Sequence, residues 1–177
     1  MCGRYSLKNA IEVKKRFGVL IRPDQNVAPS KKVLVLDQSQ KIVFLHWGYS
    51  PVWAKKPFNL INARSETLNE KISFKNAMRC VFVADGWYEW KKECGGKYPY
   101  FHHLNGELIF FGGIYNLTSG CAIVTRKSHD KFLSIHHRQP VLLGENDLTG
   151  WLLGENLFGS SLTDKILYSH VSKDVFN

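Results

Sequence analysis

Short runs of β-branched and aromatic residues, each closed off by turn-forming residues, constrain this chain more than any other feature. "VLVL" at 33–36 and "IVFL" at 42–45 flank the polar stretch 37–41, and "RCVFVADGWYEWKK", "YPYFHHL", "ELIFFGGIYN" and "CAIVTR" repeat the pattern through 79–126. Such side chains pack well on a pleated surface, and runs this short match strands better than core helices. The first two runs are expected to pair as a hairpin, and a second hairpin is expected to turn at Asp85-Gly86.

Helical spacing is confined to short segments. "LKNAIEVKKRF", from Leu7 to Phe17, has apolar residues at helical intervals and stops at Gly18. "NDLTGWLLG", capped by Asn146, and "SLTDKILY" are expected as late short helices, and "RSETLNEKISFKNAM" as a loop with a short helix. The expected fold class is α+β: a strand-rich, curved or barrel-like antiparallel sheet flanked by short helices. With no repeat, linker or low-complexity tract, residues 1–177 are expected to form one domain.

No apolar stretch approaches the ~20 residues that span a bilayer, and "MCGRYSLKNAIEVKKRF" holds no signal-peptide segment. A cytoplasmic location is expected, or a nuclear one in a eukaryote, with no membrane partner. Cysteines 2, 80, 94 and 121 form no C-x-x-C pair, which excludes a zinc ribbon and a dithiol redox motif. The pairs His102-His103 and His136-His137 lack Cys or carboxylate partners at metal-ligand spacing, so neither a metal nor a cofactor is expected, and the chain reads as a monomer. The net charge of +9 suits a phosphate polymer through counterion release, although a basic protein without a nucleic-acid role carries the same charge.

Cys2 is the residue with the most distinctive chemistry. Methionine aminopeptidases remove Met1 ahead of a small side chain, which would leave Cys2 with a free α-amine beside its thiol. An α-amine titrates near ~7.7–8.0 against ~10.4 for lysine, and a thiol near ~8.5 or lower beside positive charge. Such an aminothiol condenses with an aldehyde: the amine forms an imine, the thiolate adds to the same carbon, and a thiazolidine closes. Cys2 is equally placed to act as an N-terminal nucleophile of the hydrolase type, with its own amine as base. Taken alone, it also reads as a small, inert terminal residue.

"MCGRY", "NVAPS", "WGYSPVWA", "INARSET", "RCVFVADGWYEW", "KYPYF", "IVT" and "IHHRQPVLL" follow one another in an order and spacing that resemble the SOS-response-associated peptidase family, nearly from end to end of the chain. The resemblance implies a sensor of abasic sites in single-stranded DNA that traps the sugar aldehyde through Cys2, with strand incision by a lyase reaction in some members and a peptidase activity in the family's name. It also implies that Cys2 is the nucleophile, that Asn62 positions the reacting groups, and that Glu89 and His136 transfer protons.

The chemistry needs those residue types. An abasic sugar is mostly a closed hemiacetal, and a carboxyl and an imidazole can divide the proton transfers that open it and form the imine. We assign Glu89 to the amine and His136 to ring opening. Each has a plainer reading: Glu89 as the exposed side of an alternating strand, Asn62 as a turn residue, and His136 as part of a histidine pair.

The flanking DNA must also be held. By resemblance Arg4, Arg64 and Arg138 are phosphate contacts and Thr125 adds a hydroxyl. Unpaired bases stack on aromatic faces, and Trp53 is the candidate platform against the alternative of a core residue, whereas Trp47 is read as core. The sequence departs from the family at Gln139, where methionine is common, and at Lys75, where arginine is common. A cysteine peptidase and a non-covalent single-stranded DNA-binding module are the competing readings.

Overall fold

The computed structural model describes residues 2–176. Its strands and helices are β1 (Tyr5–Leu7), α1 (Ala10–Phe17), β2 (Asp24–Val27), β3 (Lys32–Leu36), β4 (Ile42–His46), β5 (Asn62–Arg64), β6 (Met78–Ala84), β7 (Gly86–Glu93), β8 (Gly96–His103), β9 (Ile109–Asn116) and β10 (Gly120–Lys127). There follow α2 (Asp130–Leu133), β11 (Arg138–Pro140), β12 (Leu142–Leu143), α3 (Leu148–Leu152), α4 (Leu162–Lys165) and β13 (Leu167–His170). The strand-rich α+β expectation holds, but the strands form two open sheets instead of a closed barrel. One sheet runs β13-β8-β7-β1-β2; the other runs β11-β10-β9-β6-β3-β4, with β12 on β9 and β5 parallel to β10.

Aromatic side chains join the two layers. Tyr5 of β1 lies 5.3 Å from Trp47 and edge-on to Phe82 and Phe111, and Trp87 of β7 meets Phe111 at 5.9 Å. Trp47 is fully buried, as expected, and its indole N–H donates to the Ile61 carbonyl at 2.9 Å. Paired aromatic rings of this kind add about 0.5–1.5 kcal/mol each beyond the area they bury. No helix among the described residues is long and apolar enough to cross a membrane.

The hairpin at 33–45 forms as read, with Val33 opposite Leu45 and Leu36 opposite Ile42. The one at Asp85-Gly86 does not. There β6 ends in one sheet and β7 begins in the other, so the chain turns a corner between layers. The Asp85 carboxylate pins that corner by accepting from the backbone N–H groups of Lys8 and Asn9. Gly86 is required by close approach: a Cβ there would sit 2.2 Å from the His102 carbonyl oxygen. Gly86→Ala should therefore destabilise the fold by about 3 kcal/mol or more, since backbone must move; a lowered urea midpoint checks it. The hairpin next to the corner is β7–β8, turning at Cys94-Gly95, where Gly95 takes a φ of +92°.

The helices are shorter than their sequence patterns. α1 begins at Ala10 because Leu7 is drawn into β1; Asn9 caps it by accepting from the Glu12 N–H, and Gly18 closes it at φ 70°. Asn146 is not a cap; instead the Asp147 carboxylate accepts from the Gly144 N–H at 3.0 Å. In "SLTDKILY" the helix stops at Lys165 and Leu167 starts β13, while "RSETLNEKISFKNAM" forms single 3-10 turns at Ser65–Thr67 and Ile72–Phe74.

Candidate active site

Strand register builds the site. Tyr5 of β1 faces Trp87 of β7 in an antiparallel pair, so the chain preceding Tyr5 runs alongside the chain beyond Trp87 and brings Cys2 and Gly3 towards Glu89. The Tyr88 N–H donates to the Arg4 carbonyl at 3.0 Å and holds the two together. From the other sheet, β5 lies parallel to β10 with Asn62 opposite Ile123 and Arg64 opposite Thr125. The Asn62 side-chain amide donates to the Cys2 carbonyl at 3.1 Å and to the Ile61 carbonyl at 2.9 Å. His136 follows α2, where its N–H donates to the Phe132 carbonyl at 3.0 Å.

Glu89 is 3% exposed, so the reading of it as the outward face of an alternating strand fails. His136 Nδ1 stands 3.7 Å from Glu89 Oε2, too far for a hydrogen bond, and instead lies 3.0 Å from the Arg138 backbone nitrogen. The same nitrogen lies 3.2 Å from the Arg138 carbonyl oxygen, so whether Nδ1 accepts or donates follows the tautomer. Burial raises the Glu89 carboxyl to about 7 and lowers His136 to about 4. Near neutrality the imidazole is thus uncharged and the carboxyl half-protonated. The two line a cleft of about 300 Å³ with Trp90, Lys92 and Lys97.

Cys2 is fully buried, and burial first, then the Glu89 charge, push its thiol well above the ordinary value. Activation by local positive charge, which the sequence allowed, is outweighed here by burial and the nearby Glu89 carboxyl. Met1 lies outside the described residues, and so does the expected trimming that would free the Cys2 amine. Among the described residues no three His, Cys, Asp or Glu side chains converge as a metal site; His102 is instead a core residue stacked on Trp87 at 4.6 Å.

A profile described as "SOS response associated peptidase (SRAP)" matches residues 1–176. The chain belongs to this family. It is 33% identical over 183 residues to abasic site processing protein YoqW of Bacillus subtilis (strain 168), an alignment covering 88% of this chain and 82% of that protein. It is 37% identical over 144 residues to abasic site processing protein YedK of Escherichia coli (strain K12), covering 73% and 64%. Among solved structures, a Bacteroides thetaiotaomicron protein superposes with a TM-score of 0.79 at 22% identity, over 98% of this chain and 93% of that one, which establishes a shared fold.

The SRAP residues expected to hold DNA divide into two groups. Arg64 is exposed on β5, and half-buried Arg4 sits two residues from Cys2 with Nη1 donating to the Gly3 carbonyl at 2.7 Å. Trp53 is 53% exposed and meets Phe58 edge-on at 5.4 Å, in a loop lining a separate cavity of about 620 Å³. Arg138 and Thr125 are otherwise engaged. The Arg138 guanidinium forks onto the Glu66 carboxylate at 2.6 and 2.9 Å and also donates to the Thr125 carbonyl at 2.6 Å. Thr125 is 1% exposed, with its hydroxyl 3.3 Å from the same guanidinium. A phosphate could reach Arg138 only by displacing Glu66.

Sequence reasoning did not single out Glu66 or Phe58, because their partners are visible only in three dimensions. The hydrogen bond from Arg138 holds the Glu66 carboxyl at about 2, below its ordinary 4.5. A depressed carboxyl stabilises the fold above its ordinary value and loses that contribution as pH falls through the folded one. Unfolding should therefore ease as pH drops from 4.5 towards 2, modestly because Glu66 is half-exposed. Arg138→Met should flatten that acid limb in urea unfolding curves.

Proposed function

We propose that this protein processes abasic sites in single-stranded DNA by capturing the open sugar on Cys2. Once Met1 is removed, the Cys2 amine attacks the aldehyde carbon, water leaves, and an imine forms. The thiol then adds to the same carbon, its proton passing to the ring nitrogen, so one water is released and a thiazolidine joins protein to DNA. Glu89 takes and returns protons at the amine and thiol. Neutral His136 serves ring opening of the hemiacetal, and the Asn62 amide fixes the Cys2 carbonyl so that amine and thiol face one carbon.

The observation that carries this reading is the buried Glu89 carboxyl at about 7, 3.7 Å from His136 and beside the Cys2 thiol. A carboxyl that exchanges its proton near neutrality serves both donation and acceptance. The names of the relatives point to the same lesion. Arg4 and Arg64 hold flanking phosphates and Trp53 stacks an unpaired base. Arg138 and Thr125 act from behind, bracing the segment that carries Asn62 and Arg64.

The test uses oligonucleotides identical except at the lesion. An abasic sugar should give a slower band that survives boiling in detergent. The same sugar reduced with borohydride, which lacks the aldehyde, should give none. Salt-sensitive retention of both without a stable band would favour the plain binding module. Cleavage of an unrelated peptide would favour the peptidase.

A further inference from the structure

Arg79, near the start of β6, belongs to none of the groups described above. Only 8% of it is exposed; its guanidinium carbon lies 4.3 Å from the centre of the Trp151 ring, and Nη2 donates to Asn156 Oδ1 at 3.2 Å. Among the described residues the ion pairs engage other cations, and no carboxylate reaches Arg79. Its Nη1 is buried without an acceptor. An arginine cannot shed its charge to escape this, and buried charges in folded proteins are paired. The ring and one amide oxygen offset part of the desolvation but supply no negative charge.

Arg79 also lines a cavity of about 170 Å³, with Leu68, Asn69, Phe74, Lys75 and Ala77. That is space for several waters at about 30 Å³ each. Lys75 is exposed at this cavity and forms no ion pair among the described residues. Two cationic residues thus line one hollow that has no carboxylate among its lining residues. We propose that this cavity binds a phosphate-class oxyanion, held by the Arg79 guanidinium within and the Lys75 ammonium at the rim. Inorganic phosphate and a backbone phosphodiester share this chemistry. The wall at Leu68 and Asn69 continues the turn that carries Glu66, so an occupant steadies the strut to Arg138 as well.

Thermal unfolding of the full chain against inorganic phosphate, with ionic strength held constant by chloride, tests this. The wild-type midpoint should rise saturably by about 2–4 °C. Lys75→Glu, which brings a carboxylate to the rim, should abolish the response, whereas Arg64→Gln, on the face proposed for DNA, should keep it. Arg79→Gln should also lose it; if that variant does not fold, Lys75→Glu carries the test. A short lesion-free oligothymidylate that removes the phosphate response marks the phosphodiester as the source, and one that leaves it marks the free ion. Identical midpoints in phosphate and chloride would mean that only water fills the cavity and would overturn the proposal. So would an unaltered response in Lys75→Glu, or its loss in Arg64→Gln.

Discussion

Cys2→Ala is expected to abolish the detergent-stable product with abasic single-stranded DNA, while Cys94→Ala leaves it unchanged. The contrast depends on chemistry more than on exposure. Cys94 is exposed and Cys2 is fully buried, so a product formed by adventitious thiol attack would follow Cys94. The proposed product needs an amine and a thiol on adjacent atoms of one residue, which only a trimmed N-terminal cysteine provides. Alanine keeps the terminal amine, so an imine still forms, but nothing closes the ring and the product hydrolyses. The variant should show a band only when borohydride is added to reduce the imine. A stable band without reductant from Cys2→Ala would place the reaction elsewhere in the chain.

Glu89→Gln should separate reaction from stability. Glutamine fills the same volume but cannot exchange a proton, so product formation should slow by about 10²–10³-fold. The wild-type rate is expected to inflect near pH 7 with Glu89, and the variant to lose that inflection. Stability should move the other way. Because the carboxyl is raised from 4.5 to about 7 in the fold, the folded chain holds a proton that the unfolded chain gives up. Wild-type stability therefore falls as pH rises between those values, and the full penalty, about 3 kcal/mol, is present above them. At pH 8 the variant should unfold at higher urea than wild type. A purely structural Glu89 would alter the unfolding midpoint and leave the pH profile of the reaction intact.

The strands β3, β4 and β6 to β10 were legible because each is written in its own side chains: "VLVL" and "IVFL" need no knowledge of distant residues. The short strands β1, β2, β5, β11, β12 and β13 were not, because each forms only against a partner elsewhere in the chain. The end of α1 was legible, since its stop Gly18 is local, but its start was not, because Leu7 is drawn into β1. The Asp85-Gly86 corner was misread because glycine serves two needs that look alike in a sequence, a tight turn and a close approach of another backbone. Here the second applies, and the carbonyl that imposes it belongs to His102. The burial of Glu89 was hidden for a related reason. Trp87, Tyr88 and Glu89 are all buried, so β7 carries no inside-outside alternation to read.

The site was legible only as a resemblance between ordered motifs. Its electrostatics were not, because they depend on pairs far apart in the chain. Arg138 reads as a phosphate contact until Glu66, 72 positions away, is found holding both arms of its guanidinium. The sequence leaves open whether local charge lowers the Cys2 thiol, and only the fold shows burial and Glu89 raising it.

The most direct measurement is the intact mass of the Met1-trimmed protein before and after incubation with an abasic oligonucleotide. A gain equal to the oligonucleotide less one water, absent when the sugar has been reduced beforehand, is the predicted result. A mass that does not change would contradict the capture chemistry proposed for Cys2.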